Sequence, residues 1–185
     1  MPFIETKIPG LIIFEPKVFG DDRGYFFESY NAALFKEAGI DVKFVQDNQA
    51  FSGIGVLRGL HYQVAPYTQA KLVRVIQGEV LDVVVDIRKN STTYGEWYSC
   101  ILSAENKRQL FVPRGFAHGY VVLSETAEFF YKCDNFYSKA HEGGIHPGCP
   151  LLNIDWQFDL SKATIAERDN NFPSFGNHLP WDKEL

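Results

Sequence analysis

Positive charge is in short supply: 18 Lys and Arg stand against 23 Asp and Glu, for a net charge of −5. Duplex and membrane-surface binders draw their affinity from neutralising phosphates, so this balance argues against both. It leaves room for a small anion, which a few clustered arginines can hold. No apolar stretch approaches the roughly 18 residues that a membrane helix needs. Cysteine is sparse: Cys100, Cys133 and Cys149 form no CxxC pair and no zinc spacing. An odd number of scattered thiols fits a reducing cytoplasm better than a disulfide-stapled secreted fold. Residues 1–7 lack the basic end and apolar run of a signal peptide. Gly and Pro, at 15 and 9, are too few for a fibrous or disordered chain. The expectation is a cytoplasmic protein, bound to neither nucleic acid nor membrane. Its 185 residues suit one domain that buries roughly 70% of its unfolded surface.

Aromatic residues, by contrast, are abundant: 16 Phe, 9 Tyr and 3 Trp. They favour a β-protein with an aromatic-lined interior. One early helix is expected at Asn31–Ala38, with an Asn cap and Gly39 past its end. Strands are expected at Leu11–Phe14, Lys71–Gln77, Val80–Ile87, Tyr98–Leu102, Gln109–Val112, Tyr120–Leu123 and Glu128–Cys133. Gly78-Glu79 reads as a hairpin-like break. The strands follow at short intervals without helical crossovers, which disfavours a parallel α/β sheet. The fold expected is all-β, an antiparallel barrel or jelly roll, since closure hides the edges. After Pro150 the pattern changes. Leu160–Arg168 is expected as a short helix, and a tail over about 150–185 is expected to wrap the barrel.

Two histidines have unusual settings. His61 lies in Gly55-Val56-Leu57-Arg58-Gly59-Leu60-His61-Tyr62-Gln63, and His118 in Pro113-Arg114-Gly115-Phe116-Ala117-His118-Gly119. His141, His146 and His178 sit in polar, loop-like sequence. Alternation in Lys71-Leu72-Val73-Arg74-Val75-Ile76 sends Lys71 to one face and Arg74 to the other. One cation therefore faces the barrel interior or a partner. A buried amine is costly without an anion, so an inward Lys71 implies an anionic ligand or a charge that develops during reaction. A neutral imidazole suits proton abstraction near pH 7, and a lysine can hold the resulting enolate oxygen. Tyr131 is a candidate phenolic donor for the opposite face, and Asp169 a candidate acidic partner for the base. Arg23 and Arg58 are candidate diphosphate ligands, since a guanidinium donates two hydrogen bonds at once. Phe26 and Tyr137 are candidates for stacking a nucleobase. Arg58 and His61 are three apart, so a flat strand would part them. Either Gly59 allows a bulge or Arg58 serves at the rim or an interface.

The segments Asp22–Glu28, Gln46-Asp47-Asn48, Gly55–Gln63, Lys71–Arg88, Leu102–Asn106, Pro113–Gly119 and Leu123–Glu128 together resemble the dTDP-4-dehydrorhamnose 3,5-epimerases of the cupin superfamily. The resemblance covers most of residues 10–137. It implies a cupin-type jelly-roll homodimer acting, without metal or cofactor, on a thymidine-diphosphate 4-keto-6-deoxy sugar. It casts His61 as the base, Tyr131 as the acid, Lys71 as the enolate-holding cation and Asp169 as the partner of His61. Arg23, Glu28, Gln46, Asn48, Arg58, His118 and Glu142 match substrate contacts, with Tyr137 near the base. The segment around Arg23–Glu28, in an N-terminal arm over about 1–30, is implied to reach the neighbouring subunit's site. Departures fall at Gly144–Pro150 and at Ala166-Glu167-Arg168-Asp169, where Arg168 replaces a contacting lysine. They place the C-terminal wall of the pocket in question.

Three competitors follow. A monofunctional C3 or C5 epimerase differs only in pocket geometry. A metal-dependent cupin oxygenase lacks its HxH ligand pair here, because Gln63 follows His61. A non-catalytic sugar-binding cupin gives the grouping of His61, Lys71 and Tyr131 no reason.

Overall fold

The computed structural model describes residues 2–182. The chain begins with β1 (Phe3–Glu5), β2 (Ile12–Phe14) and a hairpin of β3 (Val18–Asp21) and β4 (Gly24–Phe27). Helix α1 (Ala32–Glu37) follows, its N-terminus capped by Asn31 Oδ1, which accepts from the Ala33 and Leu34 amides. Then come β5 (Gln46–Gly53), β6 (Val56–Gln63), β7 (Lys71–Gln77), β8 (Glu79–Asp86) and β9 (Trp97–Ser103). Next are β10 (Gln109–Val112), β11 (Phe116–Val122), β12 (Thr126–Cys133), β13 (Glu142–Gly144), β14 (Thr164–Ile165) and α2 (Glu167–Asn170).

One sheet runs β1-β2-β10-β7-β12-β5, and the other β13-β6-β11-β8-β9, with β14 beside β6. Apart from the parallel β14–β6 pair, the pairings are antiparallel. Neighbours in a sheet are often distant in sequence, which gives the jelly roll that the family resemblance implies and that was one of the two forms the strand spacing left open. Side-chain alternation sorts the apolar residues into three layers. Val73, Val75, Val80, Val84, Tyr120 and Phe129 fill the barrel interior. Leu57, Tyr62, Val83, Val85 and Val121 point outward from the second sheet and are covered by Trp156, Phe158, Ile165, Phe175 and Trp181 of the tail. Leu72 and Phe111 point outward from the first sheet against Phe35 of α1.

Three expectations change. Gly78 is no hairpin: β7 and β8 belong to different sheets, and the chain crosses between them there. Gly78 has φ +76°, and a Cβ would lie 2.0 Å from the Thr126 carbonyl oxygen, so only glycine makes this crossing. The stretch 160–168 is not one helix. It is a 3₁₀ turn at Leu160–Lys162, then β14, then α2. Thr164 and Ile165 pair with Val56 and Leu57, so the free edge of β6 overrides helix propensity. Finally, β5 was not expected as a strand, because Gln46-Asp47-Asn48-Gln49 carries little apolar signal. Residues 183–185 of the expected tail lie outside the described residues.

Candidate active site

The apolar filling of the barrel stops short of one end, where inward-facing positions turn polar. On β7 the inward set is Lys71, Val73 and Val75, so the lysine and not Arg74 faces the interior. On β12 the set Phe129, Tyr131 and Cys133 continues into the same space. β5 contributes Gln46, Asn48 and Ala50. Strand β6 carries the decisive irregularity. Leu57 faces out; Leu60 and Tyr62 face out as well, so one extra residue intervenes. The β6–β11 register shifts between His118 and Tyr120, and Gly59 sits there at φ +139°. A Cβ on Gly59 would lie 2.5 Å from Gly119 Cα, and one on Gly119 would lie 2.7 Å from the Arg58 carbonyl oxygen. Two glycines in backbone contact thus permit a bulge that turns both Arg58 and His61 inward. The bulge is therefore present, and Arg58 lines the cavity from an exposed position on it.

The resulting cavity has two adjoining lobes, of about 280 and 260 Å³, both lined by His61, Lys71, Tyr131, Tyr137 and Glu142. Gln46, Asn48, Tyr62, Gln63, Gln69 and Cys133 complete the first lobe. Ala50, Arg58, His118, Gly119, Tyr120, Phe129 and Arg168 complete the second. Asp169, on α2, reaches His61 from behind: Asp169 Oδ1 lies 2.9 Å from His61 Nε2. Arg168 Nη2 lies 3.1 Å from the same Nε2. A carboxylate can only accept and a guanidinium only donate; the shorter contact, with Asp169, is the one that places the proton on Nε2 and leaves Nδ1 its lone pair. Asp169 Oδ2 accepts from the Gly59 amide at 3.1 Å, so the bulge also anchors the acid. Arg168 donates to Asp169 at 3.1 Å and to both Glu142 oxygens at 2.9–3.0 Å.

Electrostatics divides the labour. Burial pushes the His61 imidazole below its ordinary range; Asp169 opposes this, while Lys71 and Arg168 add to it. The ring is therefore neutral at pH 7. Burial pushes the Tyr131 phenol up to about 12, so it stays protonated. Burial likewise lowers the Lys71 ammonium, with Cys133, Asp82 and Glu142 acting against that. Lys71 Nζ sits 5.7 Å from the Tyr131 ring centre. A second pair lies beside the first: His118 Nε2 is 2.8 Å from Asp82 Oδ2. Burial raises the Asp82 carboxyl against the pull of His118 and Lys71. Asp82 was missed in the sequence, although an acid within Val80-Leu81-Asp82-Val83-Val84-Val85 signals a buried, paired charge. Phe172, whose ring meets His61 edge-on at 5.6 Å, was missed too.

The remaining candidates divide. Gln46 bonds Asn48 at 3.1 Å and accepts from the Tyr137 amide at 3.1 Å, which ties these three together at the mouth. Arg23, Phe26 and Glu28 are not brought to this cavity within one chain. They belong to the β3–β4 hairpin and its exit, with Arg23 ion-paired to Asp21, Glu28 accepting from Asn31, and Phe26 71% exposed. The altered stretch His146–Pro150 lines neither lobe, so of the C-terminal departures only Arg168 reaches the wall. His141 bonds Ser138, and His178 packs between Tyr62 and Phe175. Among the described residues no cluster of three or more His, Cys, Asp or Glu could hold a metal ion.

A profile described as dTDP-4-dehydrorhamnose 3,5-epimerase matches residues 5–177. The enzyme of that name from Shigella flexneri is 56% identical over 176 residues, covering 95% of this chain and 96% of the relative. The crystal structure of dTDP-4-dehydrorhamnose 3,5-epimerase from Elizabethkingia anophelis superposes with a TM-score of 0.91 at 51% identity, covering 95% of this chain and 96% of that one. The Legionella pneumophila dTDP-6-deoxy-D-glucose-3,5-epimerase, solved with dTDP-4-keto-L-rhamnose, gives 0.91 at 48% identity over 95% and 93%. A profile that spans residues 5–177 and a relative 56% identical over 176 residues show that this protein belongs to the dTDP-4-dehydrorhamnose 3,5-epimerase family.

Proposed function

We propose that the protein is an isomerase that inverts C3 and C5 of dTDP-4-dehydro-6-deoxy-D-glucose to give dTDP-4-dehydro-L-rhamnose. One observation carries the chemistry: a neutral His61 oriented by Asp169, a protonated Tyr131 on the facing sheet and a buried Lys71 share one cavity. The C4 ketone acidifies the hydrogens on C3 and C5. His61 Nδ1 takes one such proton as the C–H bond breaks, and the electron pair moves to the C4 oxygen. The Lys71 ammonium neutralises that oxygen. As the electron pair returns from the C4 oxygen, Tyr131 gives its proton to the same carbon from the opposite face; the imidazolium and phenolate left behind exchange protons with solvent, which restores His61 and Tyr131 for the second carbon. A neutral His61 and a protonated Tyr131 are the forms that burial favours at the start of the cycle.

Gln46, Asn48 and Tyr137, held together at the mouth, are proposed to take the thymine, with Tyr137 stacked on it. Arg58, His118, Glu142 and Arg168 complete the substrate contacts. The unit is proposed to be a homodimer in which Arg23, Phe26 and Glu28 of one arm enter the partner's cavity. The exposure of Phe19, Tyr25 and Phe26 on the hairpin supports that arrangement. Among the described residues no helix is long and apolar enough to cross a membrane. Three free cysteines favour a reducing compartment, the cytoplasm.

Incubation with the 4-keto-6-deoxy substrate in deuterated water tests the reading. Inverted product with deuterium on both C3 and C5 is expected. Deuterium on one carbon would make the protein a monofunctional epimerase, and none would reject the assignment.

A further inference from the structure

Gly144 is the register partner of His61: β13 lies beside β6, and directly opposed residues of an antiparallel pair point to the same face. A side chain at this position would therefore stand next to the imidazole. The space is taken instead by a residue from the tail. A Cβ on Gly144 would lie 2.4 Å from three carbons of the Phe172 ring. That ring meets the His61 ring at 5.6 Å and 74°. Phe172 lines neither lobe of the cavity, so it touches the base and not what the base acts on.

Two anchors fix the ring there. The Phe172 amide donates to the Asp169 carbonyl at 3.4 Å, so carboxylate and ring approach His61 from one turn of chain. On the other side the His146 amide donates to the Pro173 carbonyl at 2.9 Å, and the Phe175 amide to Cys149 Sγ at 3.3 Å. The stretch Gly144–Pro150, where the sequence departs from the family pattern, thus bears on the base without lining the cavity. It seats the chain that follows Phe172.

We propose that Phe172 is a positioning residue for the base, its ring filling the space left by Gly144 so that water is shut out beside the imidazole and the imidazole stays against Asp169. This rests on the epimerase reading above and adds to it a group that acts through His61. Water admitted on that side would stabilise the imidazolium, and a ring free to tilt would present Nδ1 less often to the reacting carbon. The charged and titratable groups around the imidazole are Asp169 and Arg168 of α2, Arg58 of β6, Lys71 of β7, His118 of β11, Tyr131 of β12, Glu142 of β13, and Tyr137. None of them is removed with Phe172. Arg168 packs on the Phe172 ring at 5.9 Å, and Glu142 and Asp169 hold that guanidinium independently.

Phe172→Ala is expected to lower kcat about tenfold with KM for the keto-sugar nucleotide unchanged, and to move the acid limb of kcat/KM up by about half a pH unit. That direction is the reverse of what losing the Asp169 carboxylate does. Phe172→Leu, which restores apolar bulk, is expected to recover most of both effects. A lowered melting temperature with kcat and the limb unchanged would make Phe172 a packing residue only and overturn the proposal. A limb shift that vanishes in high salt would trace it to a displaced Arg168 and overturn it as well. The two readings fail separately, because NMR titration of the His61 ring in the substrate-free protein needs no turnover. An imidazole that titrates in Phe172→Ala as in the wild type removes the role of Phe172 alone. No deuterium exchange by the wild type removes the epimerase, and the titration still judges whether Phe172 keeps His61 dry.

Discussion

His61 and His118 are register partners on adjacent strands, and each meets an aspartate through Nε2. Their surroundings differ. The His61 side chain is 23% exposed and its aspartate arrives from the far end of the chain, on α2. The His118 side chain is 8% exposed and its aspartate stands on the next strand, β8. Burial works to raise Asp169, but His61, the Gly59 amide and Arg168 outweigh it and hold that carboxyl below its usual range. For Asp82 burial dominates and the carboxyl is pushed up. One acid is thus a fixed anion dressed with donors, and the other a sealed group whose charge has few donors beside it. The first suits a histidine that must gain and lose a proton with its ring held still. The second suits one whose imidazole stays in place while substrate comes and goes.

The comparison breaks first at His61. His61→Ala is expected to slow deuterium incorporation about 10³-fold while dTDP binding persists. Exchange near the wild-type rate would remove the division of roles. Asp169→Asn is expected to lower kcat about 10²-fold, since an amide no longer enforces the Nε2–H tautomer. It also has a sign in pH. Activity requires neutral His61 and is lost as pH falls through the imidazole pKa, which already lies below 6.5 in the intact protein. Removing a carboxylate that favours the imidazolium lowers that pKa further, so the acid limb of kcat/KM moves to lower pH in the variant. A limb displaced upward would contradict the assignment. Asp82→Asn is the mildest for chemistry, with a rate loss below about tenfold. Its cost is expected in urea denaturation, at about 1–3 kcal/mol, because a buried partner of His118 is altered. A larger rate loss than that of Asp169→Asn would exchange the roles of the two pairs.

Much of this could be read from residue order, and the failures have identifiable causes. Alternation alone placed Lys71 and Arg74 on opposite faces, and burial of Val73 and Val75 decides which face is inside. The bulge at Gly59 was one of two open alternatives, because alternation shows that Arg58 and His61 conflict but not how the backbone resolves it. β5 escaped notice because its inward face is the polar wall of the cavity, so function erased the apolar signal of a strand. Gly78 looked like a hairpin because a local turn and a crossing between sheets use the same left-handed glycine. The helix expected at 160–168 failed for a longer-range reason, since no local pattern reveals that an edge of β6 lies open to receive Thr164 and Ile165. The arm residues Arg23, Phe26 and Glu28 belong to a geometry that one chain does not contain.

The origin of Asp169 has a consequence in time. The strands that form the cavity are complete once the chain has been synthesised through Gly144, whereas the carboxylate that orients His61 lies on α2, past the 3₁₀ turn and β14. At the roughly 5–20 residues per second of translation, a barrel emerging from the ribosome spends an interval with its base unanchored. Orientation of the base thus waits on the last-made part of the chain, and severing the polypeptide before Ala166 removes that acid together with Phe172 beside His61 and with Phe175 and Trp181, which cover the second sheet.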